Sequence, residues 1–274
     1  MMDFFQALAD FRFMQYALAA CLLASIGCGT IGAYVVIKRI GFVAGGIAHT
    51  VLAGLGIAYY FGAAPLHGAI IAALVAAVLI GWIKLRWRQE EDILIAATWS
   101  VGMAVGILFI ARTPGYAVDL TSYLFGNILL VTETDLVLMA VLDALIIAFV
   151  LLFHRQFLAT AFDEEFARLR GVNVEFFYIF LLCIVALTVV LLIQIVGLIL
   201  VMALLVLPAA AAAQFVTSVT RMMLLGAGLS AVVTTLGLGV SFVTDLPSGA
   251  TMVVAAGVLY TAALAARRIL RPNS

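Results

Sequence analysis

The sequence predicts an all-α polytopic membrane protein with about nine transmembrane helices (eight to nine), and three observations carry that reading. Hydrophobic residues make up 66% of the 274 positions and charged residues only 10%, against roughly 45–50% and about 25% in a soluble domain. The apolar residues come in runs of about 20, the length that crosses ~30 Å of hydrocarbon at ~1.5 Å per residue. The breaks between runs are short and carry turn residues, as at Gly62-Ala63-Ala64-Pro65 and Asp245-Leu246-Pro247-Ser248-Gly249, which join tightly connected helices.

In chain order the runs fall at about 13–36, 42–61, 66–83, 93–111, 135–153, 174–195, 197–216, 222–243 and 249–266. The first fifteen residues carry Asp3 and Asp10 and no basic stretch, so they do not read as a secretory signal. Between the fourth and fifth runs, segment 113–134 holds an apolar stretch too short to span. It is expected to lie at the outer interface or to re-enter there, which irregular backbone tolerates only when protein covers it. Between the fifth and sixth runs, HRQFLATAFDEEFARLRGVN (154–173) is the longest polar break. Phe157, Phe162, Phe166 and Leu169 recur there at roughly helical spacing. Asp163, Glu164 and Glu165 open a turn, Arg168 and Arg170 end it, and Gly171 closes it; that charge order suits a helix dipole. The segment predicts a short amphipathic helix, either lying on the membrane surface or docking into a groove on a cytosolic partner. The whole chain, 1–274, reads as one transmembrane domain.

Charge gives the orientation. With nine spans, twelve of the fourteen Lys and Arg share one side: Lys38, Arg39, Lys84, Arg86, Arg88, Arg155, Arg168, Arg170, Arg221, Arg267, Arg268 and Arg271. Only Arg12 and Arg112 fall on the other. The positive-inside rule puts the twelve in the cytoplasm, so the N-terminus is expected outside and the C-terminus inside. A net charge of zero argues against nucleic-acid binding. Cys21, Cys28 and Cys183 sit within apolar runs without zinc-site spacing and read as small buried hydrophobes.

Ionisable residues inside a membrane are costly and therefore functional candidates. His49 lies mid-span, with Gly45, Gly46, Gly54 and Gly56 around it. Imidazole ligates zinc and other borderline metals, and glycines let helices approach closely; a hydrogen-bonded packing role is the plainer alternative. Asp143 lies about eight residues inside its span and either lines an aqueous path or pairs within the bundle. Glu175 and Gln194 lie near span ends, and His67 and His154 flank spans, where solvated roles suffice. The sequence offers no nucleophile–base set and no Walker-type loop. The chain is therefore not expected to be an enzyme, and any ATPase must be another chain.

Five segments, in this order, complete the reading: GGIAHTVLAG, DLTSYLFGNILLVT, FDEEFARLRGV, VGLILVMALLVLPAAAA and DLPSGATMVV. With them the chain resembles, over nearly its whole length, the permease subunits of zinc- and manganese-type ABC importers, relatives of the cobalamin and siderophore permeases. The resemblance implies a homodimer or paired permeases with the path between them, in the bacterial inner membrane. It implies a cytosolic ABC ATPase dimer engaging Asp163, Glu164, Glu165, Phe166, Ala167 and Gly171, an outer-side segment that includes Asp119 and Asn127, and an extracytoplasmic metal-binding protein that delivers the ion to the outer face. Transport would proceed by alternating access. No cofactor is expected beyond the transported divalent ion, with His49 as a transient ligand on its path and Asp143 as a path residue.

Two departures from the family pattern bear on the cargo. The family commonly carries Asp one turn before the span-two histidine, where this chain has Gly45, and Asp where it has Asn127. Fewer hard oxygen ligands favour softer coordination, so zinc is expected over manganese or iron. The alternatives are a permease for a metal chelate and an ion-coupled secondary transporter, with an intramembrane enzyme behind them.

Overall fold

The structure is a computed structural model that describes residues 4–87, 91–113, 126, 128–197 and 201–270. Every described element is helical. In chain order these are α1 (Phe4–Asp10), α2 (Arg12–Lys38), α3 (Gly41–Tyr60), α4 (Pro65–Trp87), α5 (Glu91–Arg112), a 3-10 turn (Ile128–Leu130), α6 (Glu133–Leu152), α7 (His154–Phe162), α8 (Glu164–Leu169), α9 (Val174–Val196), α10 (Val201–Ala212), α11 (Val219–Thr244) and α12 (Ser248–Leu270). Eight of the described helices are long and apolar enough to cross a membrane. Their apolar residues run round the whole circumference, as expected where lipid covers what protein does not.

The expected span at 197–216 takes a different form. Gly197, with φ +75, stands just past the end of α9. The amides of Gln214 and Phe215 turn back to Ala211 and Ala212, which ends α10 at Ala212. Among the described residues the helix here is Val201–Ala212, about 18 Å long, shorter than the hydrocarbon core is thick. The 154–173 segment likewise forms two short helices, because Asp163 adopts extended backbone and caps the second.

The chain forms two compact units. One comprises Met1–Ile37, Thr121–Ile147 and Leu191–Ser274. In it α2 runs antiparallel to α11. The Phe4 ring meets Phe242 edge-on at 6.4 Å, Ser25 Oγ lies 3.3 Å from Thr234 Oγ1, and a Cβ on Gly29 would fall on the backbone of Ala227. Helix α12 folds back along α11 after Asp245, whose left-handed backbone (φ 56) ends α11. The return is fixed where Thr251 Oγ1 donates to the Gly237 carbonyl at 2.8 Å. At its far end Arg267 donates to Gln214 Oε1 at 2.7 Å. Within this unit the start of α2 and the end of α12 therefore lie at opposite ends.

The other unit comprises Lys38–Leu120 and Ala148–Val190. Its centre is α3, against which α4 and α5 pack through small residues. A Cβ on Gly54 would meet the Gly68 carbonyl and Ala72, one on Gly56 the backbone of Gly106, and one on Gly102 Thr50. Such contacts supply helix association where apolar burial gives no advantage over lipid. Pro65 opens α4, where its missing N–H costs nothing. Phe157 of α7 is 1% exposed and stands among Phe153, Phe177 and Phe180, with ring centroids 5.8–6.5 Å away. Each well-oriented aromatic pair contributes ~0.5–1.5 kcal/mol, so α7 is tied to the neighbouring end of α9.

Candidate functional site

Helix α3 places His49 in the interior of its unit, 8% exposed. The imidazole lies flat on Trp99 of α5, with centroids 3.8 Å apart and planes 10° from parallel. Trp99 is itself held by Nε1 donating to Met103 Sδ at 3.1 Å. Next to His49, Thr50 Oγ1 donates to the carbonyls of Gly46 (2.8 Å) and Thr98 (3.1 Å), pinning α3 to α5. His49 Nδ1 is buried without a hydrogen-bond partner among the described residues. Leaving a buried polar atom unpaired costs ~1–3 kcal/mol, so the fold holds this nitrogen free at an energetic cost. Gly45, one turn earlier, is buried and supplies no ligand.

A cavity of about 740 Å³ in the same unit is walled by α3, α4 and α5, with Gly54, Ile71, Val75 and Val101 in its lining. Its polar lining groups are Thr50, Thr98 and His67, so His67, expected to be only solvated, stands on its wall. His49 is not part of the lining. So apolar a space is not an ion site.

Asp143, on α6 in the other unit, is 3% exposed, and neither carboxylate oxygen has a hydrogen-bond partner among the described residues. Ser230 of α11, in that same unit and fully buried, likewise has an unpartnered Oγ. No group of three or more His, Cys, Asp or Glu able to hold a metal occurs among the described residues. Asp119 and Asn127 lie outside the described residues.

The third predicted feature is α8. Asp163 Oδ1 accepts from the Phe166 amide at 2.9 Å, a helix cap. Gly171 (φ +76) ends the turn by donating to the Arg168 carbonyl. Phe162, Phe166 and Leu169 are exposed, Leu169 at 88%, and Arg170 lies over the Phe166 ring, 4.8 Å from its centroid. Glu165 is exposed. Ala167 is fully buried: it faces the chain's own interior and offers no surface to a partner. Glu164 accepts an ion pair from Lys38 at 2.7 Å. Sequence reasoning missed Trp99 and Lys38 as partners because each is remote in the chain from the residue it meets, and no local spacing records either pairing.

Long apolar helices packed through glycines, with polar atoms buried among them, define a polytopic α-helical membrane protein. Comparison with known proteins identifies the kind. The ABC 3 transport family matches residues 10–267, and the chain belongs to it as a membrane permease subunit rather than an enzyme. It is 46% identical to an uncharacterized membrane protein of Synechocystis over 94% of this chain and 92% of the relative. It is 33% identical to the manganese transport system membrane protein MntC of Halalkalibacterium halodurans, over 95% of this chain and 89% of the relative. Its fold matches a chain of PsaBC from Streptococcus pneumoniae in complex with Fab, with a TM-score of 0.86, 31% identity and coverage of 95% and 94%.

Proposed function

We propose that this chain is the metal-conducting permease of an ATP-driven importer of divalent metal ions. The observation that carries the reading is the buried His49 nitrogen that has no partner among the described residues, inside a span. A packing histidine would be satisfied, whereas a ligand for a passing ion must be free when the ion arrives. Family membership supplies the energy source: a cytosolic ABC ATPase dimer, separate from this chain. That dimer docks on the exposed Phe162, Phe166 and Leu169 edge. An extracytoplasmic metal-binding protein delivers the ion, and a second copy of the permease completes the path. Alternating access is the mechanism that suits a path with transient ligands, since neither side is then open while the other loads.

Parity and charge support the orientation expected from sequence. Six long helices precede segment 197–218, so it starts at the end where α2 starts. Helix α11, antiparallel to α2, begins at the opposite end. In this reading the segment that holds α10 makes the remaining crossing, and Val201, Leu204, Leu205 and Pro208 of α10 are buried, as a crossing covered by protein needs. Nine crossings put the N-terminus outside and keep twelve cationic side chains in the cytoplasm.

Two observations point to different cargoes. A relative named for manganese transport favours Mn²⁺, while Gly45 in place of a carboxylate favours Zn²⁺. We take Mn²⁺ as the leading reading, since that relative matches nearly the whole chain and Gly45 is a single position. ATP-dependent uptake of Mn²⁺ and Zn²⁺ in competition, into proteoliposomes holding permease, ATPase and binding protein, decides it. Uptake of neither ion overturns the function. Zinc-selective uptake that Gly45→Asp shifts toward manganese assigns the choice to α3.

A further inference from the structure

We propose that Lys38 is a positioning residue of the transport cycle: its ion pair with Glu164 is the strut through which α8 moves the start of α3. The proposal rests on the chain being an ATP-driven metal permease. Lys38 Nζ lies 2.7 Å from Glu164 Oε1, and the side chains are 12% and 53% exposed. A lysine at a helix end ordinarily runs its ammonium out to water. Here the side chain is largely covered and the charge is given to a carboxylate 126 residues away, the one ion pair among the described residues. Solvent-exposed pairs couple weakly and are screened by salt; shielding of Lys38 removes part of that screening.

The pair joins two rigid pieces. Glu164 sits in the first turn of α8, whose ends are fixed by the Asp163 cap and the Gly171 turn. Lys38 is followed by Arg39 in left-handed backbone (φ 57) and by Ile40, 2% exposed, and Gly41 then opens α3. This corner is also where the chain passes from one unit to the other. His49 lies eight residues further, about 12 Å along the helix. Close contacts at Gly54 and Gly56 and the Thr50 hydrogen bond hold α3 to α4 and α5, so the three move together. A push on the exposed edge of α8 therefore reaches the corner through Lys38 and displaces His49.

The test reads Mn²⁺ taken up per ATP hydrolysed, in proteoliposomes with the ATPase and binding protein. Lys38→Met keeps the apolar stem and removes the charge. The ratio is expected to fall at least tenfold while ATP hydrolysis stays within twofold, and Lys38→Arg keeps the ratio. Lys38→Glu falls in the same way, and combining it with Glu164→Lys restores the ratio to within threefold. A Met variant with the wild-type ratio, or a charge swap as uncoupled as its parent, overturns the proposal. So does a loss of uptake and hydrolysis in equal proportion, which marks a purely structural pair. A wild-type complex that takes up neither Mn²⁺ nor Zn²⁺ under ATP refutes the permease reading itself, before Lys38 is in question.

Discussion

Replacing His49 with phenylalanine separates ligand from packing residue more sharply than alanine does. The stack on Trp99, 3.8 Å between centroids and 10° from parallel, is kept by a phenyl ring, so its ~0.5–1.5 kcal/mol is retained. The change also deletes Nδ1, buried and unpartnered among the described residues, and with it a penalty of ~1–3 kcal/mol. His49→Phe is therefore expected to be as stable as the wild type or up to about 2 kcal/mol more stable. His49→Ala loses the stack and leaves a void, at a cost of roughly 2–4 kcal/mol. If the nitrogen serves the ion, uptake falls at least tenfold in both variants, equivalent to at least ~1.4 kcal/mol of lost interaction. Denaturant unfolding in detergent and ATP-dependent Mn²⁺ uptake measure the two quantities. A stable Phe variant that transports at the wild-type rate makes His49 a packing residue. A destabilised Phe variant means that Nδ1 has a partner in the folded state.

Three further predictions probe the rest of the molecule. In Gly54→Ala the new methyl collides with the Gly68 carbonyl oxygen and stands 2.6 Å from the Ala72 Cβ, where carbons rest at ~3.5–4.0 Å; the α4 backbone must yield by about 1 Å or more, at a cost of ~1–3 kcal/mol or above, whereas Gly228→Ala, with open space around it, is not destabilising in the same unfolding assay. Leu169→Asp, on an 88% exposed side chain, should change stability by less than ~0.5 kcal/mol yet abolish pull-down of the ATPase; retained capture moves the docking surface elsewhere. Asp143→Asn preserves shape and removes charge, so the fold is kept while Mn²⁺ uptake drops at least fivefold, and unchanged uptake assigns Asp143 to structure.

Composition alone was enough for the fold class, because only lipid can solvate so apolar a chain, and eight of the nine expected runs became spanning helices. The α8 turn was legible for a local reason: cap, charge order and closing glycine all lie within nine residues, from Asp163 to Gly171. The short α10 was not. Its C-terminal end is set by the Gln214 and Phe215 turns, which no Gly or Pro between 209 and 218 announces. Sequence named His49 and Asp143 as candidates from their cost in a membrane, but whether such a group is satisfied depends on neighbours that chain order does not record. Only packing put Trp99 under His49, left its Nδ1 and the Asp143 oxygens without partners, and turned Ala167 inward. The same packing carried Lys38 to Glu164 across 126 residues. Hydrophobic patterning fixes which segments enter the membrane, because transfer free energy is a sum over local residues. The partner of a buried polar atom is chosen by side-chain shape across helices, and that exists only once the helices are packed.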